Sequence, residues 1–200
     1  MSSIIEDGTG QGFFAKVDSD NRLRTSAVSE DGLVNGSERG NAFNVNTEFI
    51  PLSGSGEQPI LYFKNNASKD VVISNWFIGI GFAGGSGSEA IILKAYTNPT
   101  GGTLITSGTD VVPVNRKIGD GKVFRYDVKK GDGSTSTLTG YGATPILYQT
   151  QSPNSRVFGT VNLTLSQGSS LGITVDMQGY EPANIYTGFI GYERTVGVDE

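Results

Sequence analysis

Short apolar runs separated by turn-forming clusters dominate the chain from about residue 46 onward. The clearest case is TVNLTLSQGSSLGITVDMQ, residues 160–178, in which an apolar residue occupies every second position on both sides of the central QGSS. A period of two places alternate side chains on opposite faces of an extended chain, so that one face can be buried. The pattern therefore predicts a strand, a turn and a second strand, paired as a hairpin.

The same texture recurs along the chain, and it predicts strands at residues 59–65, 70–83, 89–99, 103–108, 111–119, 122–131, 141–150 and 185–196. No window shows the period of an amphipathic helix. Gly accounts for 29 of 200 residues, about double the usual share, which is typical of many tight turns. Asp-Gly pairs predict turns at residues 7–8, 31–32, 120–121 and 132–133. We therefore predict an all-β fold, an antiparallel β-sandwich of the jelly-roll type, with Trp76 in its core.

Residues 1–45 have a different character, because small apolar islands lie among Gly, Asp, Ser and Asn. Such a segment cannot bury enough apolar surface to offset the entropy lost when it becomes ordered. We therefore predict two parts. An extended N-terminal arm covers residues 1–45, with short strands near 12–17 and 22–28, and the β-sandwich domain covers residues 46–200.

The composition excludes several classes of chemistry. The chain contains no Cys and no His, which removes disulfides, thiol nucleophiles, Ser-His-Asp arrangements and the usual zinc sites. The net charge is −5, and the 15 Lys and Arg are spread along the sequence, whereas a nucleic-acid surface requires concentrated positive charge. No apolar run approaches the ~20 residues of a transmembrane helix. We expect a protein that is not an enzyme, with no cofactor or metal, and with neither nucleic acid nor membrane as a partner.

Three patterns could still carry chemistry. Residues 79–84 match GxGxxG, but no helical pattern follows to meet a dinucleotide, so turn glycines are the simpler interpretation. Asp18 and Asp20 begin like a calcium loop, but the later positions lack the required Gly and Glu. A carboxylate pair for glycoside hydrolysis stays open. The acidic residues near predicted strands are Glu89, Asp110, Asp127, Asp176 and Glu193.

The opening of the chain carries a more specific pattern. DGTGQGFFAKVDSDNRLRTSAVSE, residues 7–30, followed by GNAFNVNTEF, resembles the N-terminal segment of a group of tailed-bacteriophage virion proteins. In that group, a DGTG-x-G…AKVD…NRL…AV segment precedes a β-rich domain. The later stretches NNASKDVVISNWFIGIG, YTNPTGGTLI and NRKIGDGK are also similar to the group, and no catalytic signature accompanies the resemblance.

The resemblance implies a virion structural protein that decorates and stabilises the capsid exterior, as a cement or head-fibre protein. The start MSSIIEDGTG does not have the pattern of a signal peptide, so we expect synthesis in the cytoplasm of a bacterial host and a final location on the capsid surface. The expected partners are the major capsid protein and further copies of the chain, arranged as a homotrimer. The alternative is a tail-fibre or receptor-binding β-domain that recognises host-surface glycan.

The arm is the part that we expect to hold the capsid or a neighbouring subunit. Its glycine spacing allows backbone to approach backbone, and its alternation suits the addition of a strand to a sheet edge. The residues expected to make these contacts are Gly8, Gly10, Gly12, Phe13, Phe14, Lys16, Val17, Asn21, Arg22 and Leu23.

Overall fold

The computed structural model describes residues 5–6, 14–17, 23–24, 32–53, 56–82, 91–151, 156–178 and 183–194. Within these ranges the chain forms strands of 2 to 13 residues and two short helices. In chain order they are β1 (Ile5–Glu6), β2 (Phe14–Val17), β3 (Leu23–Arg24), α1 (Gly32–Glu38), β4 (Ala42–Asn46), β5 (Ile50–Leu52), β6 (Glu57–Asn65), β7 (Asp70–Phe82), β8 (Ile91–Thr97), α2 (Thr103–Ser107), β9 (Thr109–Asp110), β10 (Val114–Asn115), β11 (Tyr126–Lys130), β12 (Leu147–Gln151), β13 (Arg156–Leu165), β14 (Ser170–Asp176) and β15 (Ala183–Arg194).

The chain divides into two compact units between residues 31 and 32. In the first unit, β1, β2 and β3 form a three-stranded antiparallel sheet, and β2 and β3 lie within the two segments predicted to contain strands. The second unit begins at Gly32, so residues 32–45, which the sequence assigned to the arm, lie in the unit that contains the sandwich. The physical reason is β4, where Phe43 and Val45 are completely buried in the core.

Eight strands of the second unit form the two sheets of a jelly roll. Sheet I has the order β4-β15-β7-β13, with β10 beyond β4 and β5 paired to one end of β15. Sheet II has the order β12-β8-β14-β6, with β11 and β9 beyond β6. Among the eight principal strands these orders are first-eighth-third-sixth and fifth-fourth-seventh-second, the two interlocked halves of a jelly roll. The predicted all-β sandwich is confirmed.

Strands β13 and β14 lie where the alternation predicts two strands, but they do not form a hairpin. β13 pairs with β7 in sheet I, whereas β14 pairs with β6 and β8 in sheet II. The turn at residues 166–169 therefore crosses from one sheet to the other. The predicted hairpin was wrong because alternation shows which face of a strand is buried and does not identify the strand with which it pairs.

Residues 103–108 were predicted to form a strand, and the structure has α2 there instead. α2 is one short turn between Gly102, whose φ is 112°, and Gly108. It buries Leu104 against Tyr62 and Leu138, in a small cluster separate from the main core. The segment has only two adjacent apolar residues, Leu104 and Ile105. So short a run has no measurable period, and it fits one helical turn as well as a short strand.

The main core lies between the sheets and is centred on aromatic side chains. Phe43 of β4 lies 4.9 Å from Phe124 and 4.7 Å from Tyr126, measured between ring centroids. Phe63 and Phe189, from opposite sheets, meet edge to face at 5.0 Å. Edge-to-face and offset contacts at these distances add to the energy of burial.

Trp76 is buried as predicted, with 6% of its surface exposed. Its indole Nε1 donates to Thr187 Oγ1 at 2.8 Å, and the Thr187 hydroxyl donates to the Phe77 carbonyl at 3.0 Å. Thr187 is itself completely buried. A buried donor that loses its acceptor keeps the cost of its desolvation. The Thr187 hydroxyl therefore stabilises the core by accepting the hydrogen bond from the Trp76 indole.

We expect Thr187→Val to lower the free energy of unfolding by about 1–3 kcal/mol, because the Trp76 indole N–H loses its acceptor while the volume hardly changes. Urea denaturation measures the effect. The matched control is Thr164→Val, at an exposed position of β13, which should change the free energy by less than about 0.5 kcal/mol. Equal effects at the two positions would show that the buried hydrogen bond is unimportant.

The Asp-Gly pair at residues 132–133 forms a turn, as predicted. Asp132 Oδ1 accepts backbone N–H bonds from Ser134, Thr135 and Ser136 at 3.0, 2.9 and 3.0 Å. Gly133 has a φ of 76°, and an added Cβ there would lie 2.0 Å from the Pro51 carbonyl oxygen. The turn therefore needs the carboxylate as an acceptor and glycine for its backbone.

The pKa of the Asp132 carboxyl lies well below its ordinary value of 3.8. The hydrogen bond from the Thr135 hydroxyl lowers it most, and the backbone N–H bonds lower it further. A lowered folded-state pKa contributes stability that is present above the unfolded pKa and is lost as the pH falls. We expect Asp132→Ala to lower the Tm modestly at pH 7, and the difference from the unmodified protein to shrink below about pH 4. Thermal unfolding across this pH range measures it, and a difference independent of pH would contradict the assignment.

Candidate interaction surface

One face of sheet I points away from sheet II, and alternation along its strands decides which side chains lie there. In β7, Trp76, Ile78 and Ile80 are buried in the core. The residues between them, Phe77 and Gly79, therefore lie on the outer side. By the same alternation, every second residue of β13, β15 and β4 lies on this outer side.

Aromatic rings on the outer side lie next to glycines of the neighbouring strand. Phe77 is directly opposite Gly188 of β15, and Tyr186 of β15 is directly opposite Gly79. An added Cβ at Gly188 would lie 2.5 Å from Phe77 Cζ, and one at Gly79 would lie 2.3 Å from the Tyr186 ring. Each ring thus occupies the space that a side chain would need, which is the way aromatic residues shield glycines in a sheet.

Two more aromatic side chains extend this surface and are strongly exposed. Phe158 of β13 pairs directly with Phe77 and is 64% exposed. Phe49, in the segment between β4 and β5, is 66% exposed and meets Tyr186 edge to face at 5.4 Å. We call the surface formed by Phe49, Phe77, Phe158 and Tyr186 the aromatic face.

Asparagine side chains lie on the same outer side of sheet I as the aromatic face. Arg156, at the start of β13, is directly opposite Gly79 of β7. It therefore places one positive charge beside the aromatic face. The cores of protein interfaces are enriched in aromatic residues and depleted of charged ones. The aromatic face has this composition, which suits contact with another surface. The outward asparagines of the same sheet are Asn44, Asn46, Asn75 and Asn184.

Helix α1 covers the other end of the outer side. An added Cβ at Gly36 would lie 3.0 Å from the Tyr192 Cβ, and one at Gly32 would lie 2.5 Å from the Tyr192 hydroxyl. These two glycines allow the helix to pack directly on Tyr192. Phe158 on sheet I and Phe49 in the segment between β4 and β5 remain exposed to solvent.

The sequence-predicted contact residues belong to the first unit. Phe14, Lys16 and Val17 lie in β2, and Leu23 lies in β3, with Val17 paired to Leu23. The proposed role of these residues in binding stays a prediction. The remaining predicted contact residues, Gly8, Gly10, Gly12, Phe13, Asn21 and Arg22, lie outside the described residues.

Four of the acidic residues considered for glycoside hydrolysis are paired with lysines. Asp110 and Asp127 both contact Lys129. Asp176 lies 3.6 Å from Lys94, and Glu193 lies 2.5 Å from Lys122. Glu89 lies outside the described residues. Lysine pairing of this kind is typical of structural ion pairs, and it does not single out an acid and a base.

The GxGxxG stretch has a structural explanation in its first half. Gly79 and Gly81 are residues within strand β7, and they are not turn glycines as the sequence suggested. Gly79 makes room for the Tyr186 ring. Gly84 lies outside the described residues.

Comparisons with known proteins bring no identification. No protein-family model matches the chain, and no match is found among curated proteins. Among the described residues, no helix is both long and apolar enough to cross a membrane. Within the same part of the chain, no group of three acidic side chains is placed to hold a metal ion. Function therefore has to be inferred from the fold, the aromatic face and the N-terminal resemblance.

The aromatic face was missed from the sequence, although a signal for part of it was present. In β13, the residues that alternate with the core side are polar at Thr160, Asn162 and Thr164, and the same row also contains Phe158. An aromatic residue on the polar side of an alternating strand indicates an exposed apolar position. Phe49 carries no comparable signal, because it lies outside any strand.

Proposed function

We propose that this protein is a non-enzymatic structural component of a tailed-bacteriophage particle that decorates and stabilises the capsid exterior. The aromatic face is the observation that carries the proposal, because a jelly roll with exposed, charge-poor aromatic residues has a surface suited to assembly. The N-terminal resemblance supplies the kind of assembly. The lysine-paired carboxylates are consistent with a protein that works by binding.

The two units divide the work in this proposal. Residues 1–31, which contain the phage-like motif, anchor the protein to the major capsid protein. The aromatic face joins copies of the chain to one another, and a homotrimer is the arrangement that suits a three-fold position on a capsid. The jelly roll of residues 32–194 is then the part displayed on the particle surface.

The direct experiment is to purify particles from a lysate through a density gradient and to detect the protein by immunoblotting. The proposal expects the protein to sediment with full particles at a constant ratio to the major capsid protein. Extraction with a chaotrope should release the protein before the capsid opens and exposes the genome, since a decoration protein is not part of the shell itself. Recovery of the protein in the soluble fraction alone would contradict the proposal.

The aromatic face predicts self-association that depends on two exposed rings. We expect the double variant Phe49→Ser/Phe158→Ser to weaken assembly by at least about tenfold, because the apolar area that the contact removes from water is lost. Sedimentation velocity measures the assembly. The control Ile118→Ser/Val123→Ser changes residues that are 99% and 82% exposed elsewhere, and it should leave assembly intact. An unmodified protein that is monomeric at all concentrations would contradict this use of the face.

A second candidate function is recognition of a neutral host-surface glycan on the tail. It is favoured by the combination of exposed rings and asparagine amides on the aromatic face, since sugars stack on rings and bond to amides. Glycan arrays distinguish the two functions. Specific binding of a neutral oligosaccharide that is lost in Phe49→Ser/Phe158→Ser would favour the receptor-binding domain over the decoration protein.

A further inference from the structure

A separate pocket lies at one end of the jelly roll, where three segments meet. These segments are the turn at residues 66–69 between β6 and β7, residues 122–125 before β11, and the turn at 166–169 between β13 and β14. The pocket is open to solvent on one side and has a volume of about 460 Å³, within the range of small-molecule sites. The side chains that matter for its chemistry are Ser68, Lys69, Lys122, Arg125, Gln167 and Glu193, and we call this the end pocket.

The end pocket is held in place by one buried side chain, that of Asn65, which is completely shielded from solvent. Its Nδ2 donates to the carbonyls of Lys69 and Leu165, both at 2.9 Å, and its Oδ1 accepts the Ala67 N–H at 3.0 Å. The Asn65 backbone carbonyl accepts the Gly168 N–H at 2.8 Å. Two of the three walls are therefore fixed relative to each other before any ligand arrives.

The carboxylate of Glu193 in this pocket forms an ion pair with Lys122. Its side chain is only 7% exposed, and Lys122 Nζ lies 2.5 Å from its Oε2. The Tyr126 hydroxyl donates to Oε1 at 3.2 Å, and burial together with the Glu193 charge raises the pKa of Tyr126. Lys122 also donates to Asn41 Oδ1 at 2.7 Å. Lys122 and Glu193 thus each have two hydrogen-bond partners within the protein.

Two further cations remain for a ligand. Lys69 has a side chain that is 39% exposed, and its Nζ lies 3.9 Å from Glu193 Oε2, too far for a hydrogen bond. Arg125 is exposed and forms no ion pair within the described part of the chain. The walls therefore carry three cations and one carboxylate, an excess of two positive charges on a protein whose net charge is −5.

We propose that the end pocket binds a small organic anion, namely a sugar that carries a phosphate or carboxylate group. The guanidinium and ammonium groups of Arg125 and Lys69 bind the anionic group, since charge-assisted hydrogen bonds to phosphate and carboxylate are the strong ones. The Ser68 hydroxyl and the Gln167 amide, which lie at the same pocket, bond to sugar hydroxyls. This site does not depend on particle association, so each can fail without the other.

The test uses the full-length protein labelled with ¹⁵N and titrated with glucose 6-phosphate, glucuronate and glucose. We expect saturable shifts of the amide signals of residues 66–69, 122–125 and 167 with one or both anions, and none with glucose. Shifts with glucose 6-phosphate alone assign a phosphorylated ligand, and shifts with glucuronate alone assign an acidic sugar. Absence of saturable shifts with either anion, or equal binding of glucose, overturns the proposal.

The double variant Lys69→Gln/Arg125→Gln should weaken binding of the anion by at least about tenfold, since two charge-assisted contacts are lost. The matched control is Lys117→Gln/Arg156→Gln, which removes the same charge from exposed positions outside the pocket. Equal weakening by the two variants would mean that only the overall charge attracts the anion, and it would overturn the proposal.

Discussion

Removal of residues 1–31 is expected to abolish binding of the protein to particles and to leave the jelly roll folded. The chain divides between residues 31 and 32, and the main core cluster of the jelly roll consists of side chains from Phe43 to Phe189. The truncated protein therefore keeps its core, and its free energy of unfolding should change by less than about 1 kcal/mol. Urea denaturation checks the fold, and co-sedimentation with particles stripped of the protein checks the binding.

A longer deletion provides the control for this result. Removal of residues 1–45 takes away most of β4, including Phe43 and Val45, which are completely buried, and we expect that protein not to fold. If the shorter truncation still occupies particles fully, the first unit is not the anchor. If the shorter truncation also fails to fold, the boundary between residues 31 and 32 does not separate independent units.

Phe43→Ala is expected to lower the free energy of unfolding by about 3–5 kcal/mol, the usual cost of removing a buried phenyl ring. Phe43 is completely buried and packs against rings from three other segments, those of Phe124, Phe63 and Phe189. A loss of this size is a large part of the total stability of a typical domain, about 5–15 kcal/mol. Urea denaturation at pH 7 measures it.

Phe158→Ala is the matched control, because it makes the same chemical change in the same sheet at a position that is 64% exposed. We expect it to change the free energy of unfolding by less than about 1 kcal/mol when measured at a concentration where the protein does not assemble. Comparable losses at the two positions would contradict the assignment of Phe43 to the core and of Phe158 to the surface.

Alternation along the chain predicted the main strands well, because a strand in a sandwich must bury one face. The strands at 59–65, 70–83 and 89–99 are present as β6, β7 and β8, and Trp76 lies in the core as expected. Pairing between strands was less accessible, as the turn between β13 and β14 shows. The pattern there is that of a hairpin, and the two strands lie in opposite sheets.

The boundary of the arm was misplaced for a physical reason. GNAFNVNTEF has only two large apolar residues within β4, and a segment so poor in apolar residues does not look like part of a core. Antiparallel pairing of Phe43 with Gly191 and of Val45 with Phe189 in β15 brings these residues into the core. Such pairing joins residues nearly 150 positions apart in the chain, and local sequence carries no record of it.

The aromatic face and the end pocket differ in how far the sequence could have predicted them. Phe158 could have been noticed as an aromatic residue in the polar row of β13. The end pocket could not, since Lys69, Arg125 and Gln167 come from three segments that approach each other only when both sheets have formed. The spread of Lys and Arg along the sequence hides this local excess of positive charge.

Imaging of whole particles with a gold-labelled antibody against the protein tests the central claim most directly. We predict label distributed over the heads of tailed particles in the source lysate. Label confined to the tails would support the receptor-binding alternative in place of capsid decoration. Absence of label from every particle would contradict the assignment to a virion, provided that the same antibody detects the protein in the lysate.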